Sequence, residues 1–242
     1  TQTAGLVLSY ENKLSHVLYS ADGGGSTENY AEHIGSDKFP YLKGARDPEG
    51  INRICWDYTT TIVNLIQRLT LAGVKAPKDA NKIAVVKTSS AGRALALELT
   101  SPTGKVTISW EKLSATLGYD VLKSTLFAIE TGSNGFVTFK GRGWGHGIGL
   151  CQTGSKGLAA APFNYTYQEI LSHYFPGTSI TQSLGNGILS TSPVIPTRGS
   201  IPEVASLSER RPPPKQSSVS KEVIDQGKSI DLQIRVKAPD RL

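Results

Sequence analysis

The sequence predicts an α+β fold: a strand-rich core, a few helices gathered toward its C-terminal side, and a Pro-rich extended tail ending in a strand. Three observations predict it. Apolar residues at period two recur through residues 82–140, with turn residues between the runs. Helical spacing is confined to a few short stretches. Past about residue 190 the composition shifts toward Pro, Ser, Arg and Lys. At that shift the 242 residues divide into a domain over 1–190 and a linker and tail over 191–242.

Residues 5–10 and 15–20 alternate around Glu11, Asn12 and Lys13 and read as a hairpin. The run Gly23–Gly25 follows, then the polar turn Ser26-Thr27-Glu28. Ile62, Leu65, Ile66 and Leu69 make one apolar face of a helix over 59–72, which Gly73 is placed to end. Ile83 and Val85, then Leu95, Leu97 and Leu99, mark strands over 82–88 and 92–100 around a Ser-Ala-Gly turn. A strand over 104–110 leads into a short helix over 111–117. Strands over 125–130 and 136–140 flank Thr131–Gly135, a hairpin signal. Residues 151–161 read as helical. Thr166 and Glu169 form a capping box that opens another helix through Tyr174, and Pro176-Gly177 stops it. In the tail, Pro193, Pro196, Pro202 and Pro212–Pro214 give an extended linker. Ile230, Leu232, Ile234 and Val236 then alternate with polar residues. That lone amphipathic strand either docks on a sheet edge, here or on another molecule, or stays a frayed end.

Between these elements lies an unusual stretch. Glycine occupies every second position from Gly141 to Gly149. In an extended segment, one side would then carry no side chains, so another chain or a polymer could approach the backbone closely. The other side would carry Arg142, Trp144, His146, Ile148 and Leu150. A glycine-rich packing strand is the alternative reading. The spacing gives neither G-x-G-x-x-G nor G-x-x-x-x-G-K-S/T, which excludes the common phosphate cradles.

The net charge of +6 favours polyanions in general. The basic residues are scattered, with no helix-turn-helix, zinc-finger or RNP-like motif, so nucleic acid is not an expected partner. No apolar run approaches the roughly 18 residues that span a bilayer, so no transmembrane segment is expected. Cys55 and Cys151 are the only cysteines; they either pair or serve as two small apolar residues. No G-x-S-x-G supports serine-hydrolase chemistry. A Cys151 thiol beside His146 has no third group to orient it.

The segment Gly141-Arg-Gly-Trp-Gly-His-Gly-Ile-Gly-Leu-Cys-Gln152, then Gly154, the Ala-rich Leu158–Ala161 and Glu169–Thr178, resembles the C-terminal signature of the SpoIID/LytB family. Members of that family are bacterial cell-wall factors: lytic transglycosylases of sporulation and "amidase enhancer" proteins. A second segment agrees. Gly5–Tyr10, Tyr19–Glu28 and Pro40-Tyr41-Leu42 are similar to the family's GxVLxY … YHSxSGGxTE region. A third comprises Lys87–Arg93, Leu117-Gly118 and Leu122–Phe127. Together they cover roughly residues 3–180, in order. The resemblance places the family's catalytic Glu upstream, in a helix with an EALKAQAVAART-like run that this sequence does not contain. It therefore assigns that general acid to no residue here. With no Met among the 242 residues and an opening directly on a strand, the expectation is a chain lacking an N-terminal part, or a natural half-domain.

Lytic transglycosylation needs a carboxylic acid to protonate the glycosidic oxygen; in this family the sugar's own 6-hydroxyl then traps the intermediate. One carboxyl of raised pKa can suffice. Glu28 and Asp22 are the carboxylates inside a motif, and Glu28 matches a position the family retains. An alternative for Glu28 is to accept local backbone N–H groups. Around them, Tyr19, Ser20, Gly23, Gly24, Ser26, Thr27, Arg142, Trp144, His146 and Gln152 are candidate substrate-binding residues. His146 and Trp144 read equally as packing residues. Some family members bind zinc near the YHS segment. Here its His is replaced, and His16 and His33 form no ligand pair with C-x-x-C or H-x-x-x-H spacing, so neither metal nor cofactor is expected. The resemblance implies a peptidoglycan-remodelling domain of a bacterial envelope, cleaving glycan strands when joined to the upstream Glu. The alternative is a non-catalytic module that binds glycan or activates a cell-wall amidase, with the tail docking on that amidase or another envelope protein.

Overall fold

The computed structural model describes residues 3–132, 134–185 and 188–193. In chain order the elements are β1 (Leu6–Tyr10), β2 (Lys13–Leu14), β3 (Tyr19–Ser20), α1 (Tyr30–Ile34), β4 (Cys55–Thr61), α2 (Ile62–Leu71), β5 (Lys82–Thr88), β6 (Ala94–Ser101), β7 (Gly104–Ser109), α3 (Trp110–Leu117), β8 (Phe127–Thr131), β9 (Phe136–Arg142), β10 (Leu150–Cys151), α4 (Gln152–Ala159), α5 (Tyr167–Tyr174), β11 (Ser179–Gly185) and β12 (Ile188–Pro193). This is the α+β, strand-rich architecture that the sequence predicts.

Among the described residues, two hydrophobic cores organise it. In the first, the meander β5-β6-β7 and the sheet β4-β9-β8 pack with α2 and α3. Ile83, Leu97, Leu99 and Ile108 come from one sheet and Val137 and Phe139 from the other. The predicted apolar face of α2 meets them through Leu65 and Leu69, both fully buried. Each such leucine contributes about 1.5–3 kcal/mol by leaving water. The helix starts later than its periodicity suggests. Residues 55–61 are extended and pair antiparallel with β9, from Cys55 opposite Arg142 to Thr61 opposite Phe136. Three consecutive threonines favour a pleated surface, and Thr61 then caps α2 by accepting the Asn64 N–H at 3.1 Å.

The second core gathers Tyr41, Leu42, Ile148, Cys151, Leu158, Tyr174 and Phe175. The sheet β12-β11-β1-β2 and the helices α4 and α5 flank it. The capping box of α5 is present in both directions. The N-terminal hairpin is shorter than predicted. Glu11 and Asn12 turn the chain at φ 48° and 58°, and β2 ends at Leu14. The His16 N–H then donates to the Tyr41 hydroxyl at 2.7 Å, drawing the chain off the sheet. Tyr19 and Ser20 pair instead with Leu150 and Cys151, in parallel. This small pairing joins the start of one signature segment to the end of another.

β12 carries the sheet to Pro193, past the boundary predicted at 190. The Pro-rich linker beyond it and the alternating Ile230, Leu232, Ile234 and Val236 lie outside the described residues. Among the described residues, no helix is long and apolar enough to cross a membrane.

Candidate functional site

β9 ends at Arg142, and the alternating glycines that follow are not a pleated strand. Gly143, Gly145, Gly147 and Gly149 have φ of 87°, 110°, 78° and 76°. This is the left-handed region, which a residue without Cβ enters at little cost. The segment makes isolated bridges instead: Trp144 opposite Asp22, Gly145 beside Ser124 and Ile148 beside Glu28. Its bare backbone is indeed approached closely, but by the protein itself. Gly147 abuts the Arg93 guanidinium and Gly149 the Leu18 carbonyl; a Cβ at either would collide.

The three signature segments meet at Arg93, which is fully buried. Its guanidinium donates to the carbonyls of Gly23 and Ser26 and, at 3.2 Å, to the Thr125 hydroxyl. Its Nε lies 3.9 Å from Glu28 Oε2, near enough for charge pairing but longer than a hydrogen bond. Glu28 is as buried as Arg93. Its Oε2 accepts from the Ser89 hydroxyl, and its Oε1 accepts the Asn29 N–H at 2.8 Å. From the other side, Ser20 Oγ accepts the Gly147 N–H at 2.8 Å. Burial pulls the Arg93 pKa below its ordinary value, while the carboxylates, Glu28 first and then Asp47 and Asp22, hold the cation in place. A charge at this depth persists because it is paired.

Beside it sits a second buried network. Asp22 accepts N–H groups from Gly24 at 2.8 Å and Ile54 at 2.6 Å. Asp47 accepts from the Tyr174 hydroxyl at 2.6 Å and from Arg53 at 2.8 Å, and Arg53 also lies 3.6 Å from Asp22. Burial, then Asp47, raises the Tyr174 phenol pKa, so it stays a donor. Cys151 Sγ accepts N–H groups from Gly23 and Gly154, both at 3.1 Å, and so caps α4. Cys55 and Cys151 are both free thiols. Burial pushes the Cys151 thiol up to about 11, the opposite of what a nucleophile requires. Ligand atoms of Asp22, Asp47 and Cys151 lie within 4.8 Å of one another, close enough to hold a metal ion. The donor set fits an ion poorly. Arg53 supplies the positive charge, Tyr174 and backbone N–H groups occupy the lone pairs, and the thiol is protonated.

The candidate residues thus divide. Asp22, Gly23, Gly24, Ser20 and Glu28 are buried and hold the fold together; neither carboxyl is reachable from solvent. His146 is half-buried. Its Nδ1 accepts the Ile148 N–H at 2.9 Å and its ring hydrogen-bonds the Tyr19 backbone, tying the glycine segment to β3. Burial, then neighbouring His33 and Arg93, lowers its pKa. Tyr19 and Trp144 project outward, at 65% and 43% exposure. Lys123 Nζ stands 4.9 Å from the centre of the Trp144 ring. Tyr19 and the exposed Gln152 line an apolar groove of about 630 Å³ with Leu18, Leu171 and Phe175. Ser26, Thr27 and Arg142 line a different, polar cleft of about 850 Å³ with Lys43 and Arg46. Sequence reasoning did not single out the pins of this arrangement. Arg93 and Tyr174 lie inside signature segments that gave them no role, and Asp47 and Arg53 carry no local signal.

Residues 28–149 match the family described as "Domain of unknown function (DUF8618)". The chain is similar to the "Amidase enhancer" of Bacillus subtilis (strain 168), at 29% identity over 230 residues, covering 74% of this chain and 32% of that protein. It is similar to "Stage II sporulation protein D" of Bacillus amyloliquefaciens, at 27% over 191 residues, covering 75% of this chain and 49% of that protein. The protein of the same name in Bacillus subtilis (strain 168) is 28% identical over 187 residues, with coverage of 75% and 49%. The chain spans about a third to a half of the length of these relatives. On that match, and with the signature segments of these relatives locked together around one arginine, the chain belongs to the family described as DUF8618 and carries a SpoIID/LytB-like domain.

Proposed function

We propose that the chain is a peptidoglycan-binding domain of the bacterial cell envelope, using the rim of the interlocked signature segments to hold glycan strands. The observation that carries this reading is the exposure of Tyr19 and Trp144. Two large aromatics stay in water on segments that Ser20, Asp22, His146 and Ile148 pin from within. Aromatic faces stack on the apolar faces of sugar rings, a contact taken to be of the order of an aromatic pair, about 0.5–1.5 kcal/mol. The relatives' names, an amidase enhancer and sporulation proteins, support a cell-wall role. In a larger protein the domain would supply the groove of a lytic transglycosylase whose general acid lies outside this chain.

A second reading, a binding module that activates an amidase, is favoured by the burial of Glu28 and Asp22. With both motif carboxyls enclosed and bonded, neither can protonate a glycosidic oxygen from where it stands. Incubating the chain with purified sacculi, and measuring both retention and released anhydro-muropeptides, tests glycan binding and the lack of a working acid among the motif carboxyls. Retention without release is expected, weakened about fivefold in each of Tyr19→Ala and Trp144→Ala. Release of anhydro products by the chain alone would restore an internal acid. Absence of retention would end the glycan reading.

A further inference from the structure

Among the described residues, the polar cleft beside the triple-glycine turn holds more positive charge than carboxylates to pair with it. Of its two lining carboxylates, Asp47 is spent internally. Arg53 takes Asp47 and Asp22, and nearby Arg93 takes Glu28. What remains along the cleft is Lys43, Arg46 and Arg142 against the single carboxylate of Glu49. All three cations are exposed, and among the described residues none makes a hydrogen bond or ion pair through its side chain. Three unsatisfied cations in one cleft raise the local concentration of anions. They are single charges on separate stretches of chain: Lys43 and Arg46 follow Leu42, and Arg142 ends β9. Ser26 and Asn29, in the same cleft, offer neutral groups suited to hydroxyls and amides.

We propose that this cleft is an anion subsite that selects carboxylate-bearing over neutral glycan. The inference rests on the glycan reading above and adds the charge of the preferred segment. Separated single cations match singly charged groups strung along a polymer better than a doubly charged phosphate monoester, which calls for convergent donors, and Ser26 and Asn29 suit the hydroxyls and amides of a sugar better than a singly charged glycerol phosphate backbone. Lys43, Arg46 and Arg142 would each meet one carboxylate, while sugar hydroxyls face Ser26 and Asn29.

Calorimetric titration of the 242-residue chain with two oligosaccharides of equal length tests this. One is a neutral β-1,4-linked N-acetylglucosamine oligomer. The other carries a lactyl carboxylate on alternate sugars, and poly(glycerol phosphate) is the third ligand. At about 50 mM salt the acidic oligomer is expected to bind about tenfold more tightly than the neutral one, from three exposed charge pairs. At about 500 mM salt that advantage should largely vanish. The triple variant Lys43→Gln, Arg46→Gln, Arg142→Gln should bind both oligomers as wild type binds the neutral one. Equal binding of the two by wild type would overturn the selectivity while leaving glycan binding intact. An advantage that persists in the triple variant would place it elsewhere and overturn the subsite. Tighter binding of poly(glycerol phosphate) than of the acidic oligomer would overturn the carboxylate assignment. Binding of neither oligomer would end the glycan reading and this inference together.

Discussion

His146 shows how one side chain of the glycine segment works. Its ring accepts from Ile148 and bonds the Tyr19 backbone, so a proton on Nδ1 would remove the acceptor that holds the turn. Burial keeps the pKa of His146 and of His33 below the ordinary 6.5. A base depressed in the fold stays neutral there while the unfolded chain takes up a proton. Its contribution is therefore complete above about pH 6.5 and falls as pH drops toward the folded value. Thermal unfolding midpoints should accordingly decline between about pH 7 and pH 5. His146→Asn keeps an oxygen able to accept the Ile148 N–H and does not titrate. It should reduce that decline, leaving the part that belongs to His33. An unchanged pH slope in the variant would assign the effect elsewhere.

At the scale of elements, the stretch 143–149 behaves as a built unit rather than a loop. Its conformation needs left-handed backbone at alternate residues, and its packing needs the space a missing Cβ leaves. Gly147→Ala combines both penalties, about 1–3 kcal/mol for strain and a similar amount for displacing Arg93. Gly35→Ala, also at positive φ but facing open space, carries strain alone. Urea unfolding should show Gly147→Ala costing at least about twice as much as Gly35→Ala. Equal costs would mean that the contact with Arg93 does not matter. The same segment marks the limit of what the sequence made legible. The middle strands and α5 were readable because period-two burial and a capping box are local signals. Alternating glycine was also readable, but alternation in sequence does not distinguish a pleat from a series of left-handed turns. The threonines of β4 hid an extended strand beneath a helical pattern that begins only at Ile62.

In the whole molecule, Arg93 is the point on which distant parts depend. It joins Gly23, Ser26 and Glu28 to Thr125, and leaves room only for glycine at 147. Arg93→Met leaves Glu28 a buried charge without its cation and should cost about 3–5 kcal/mol. Adding Glu28→Gln should recover part of that loss, with a coupling of about 1–3 kcal/mol in a double-mutant cycle read by denaturant unfolding. Simple additivity would show that the two do not act as a pair. Such partners could not be inferred from neighbouring residues: Tyr174 reaches Asp47 across 127 positions, as Gly147 reaches Ser20. That spacing also has a consequence in time. A chain emerging from its N-terminus exposes Asp22, Glu28 and Asp47 long before Gly147 and Tyr174 exist to enclose them. Contacts of such separation form slowly. The triple-glycine turn should therefore remain open to water, chaperones and proteases until α5 has been made, and the order of synthesis itself delays the moment at which the domain can first grip a polymer.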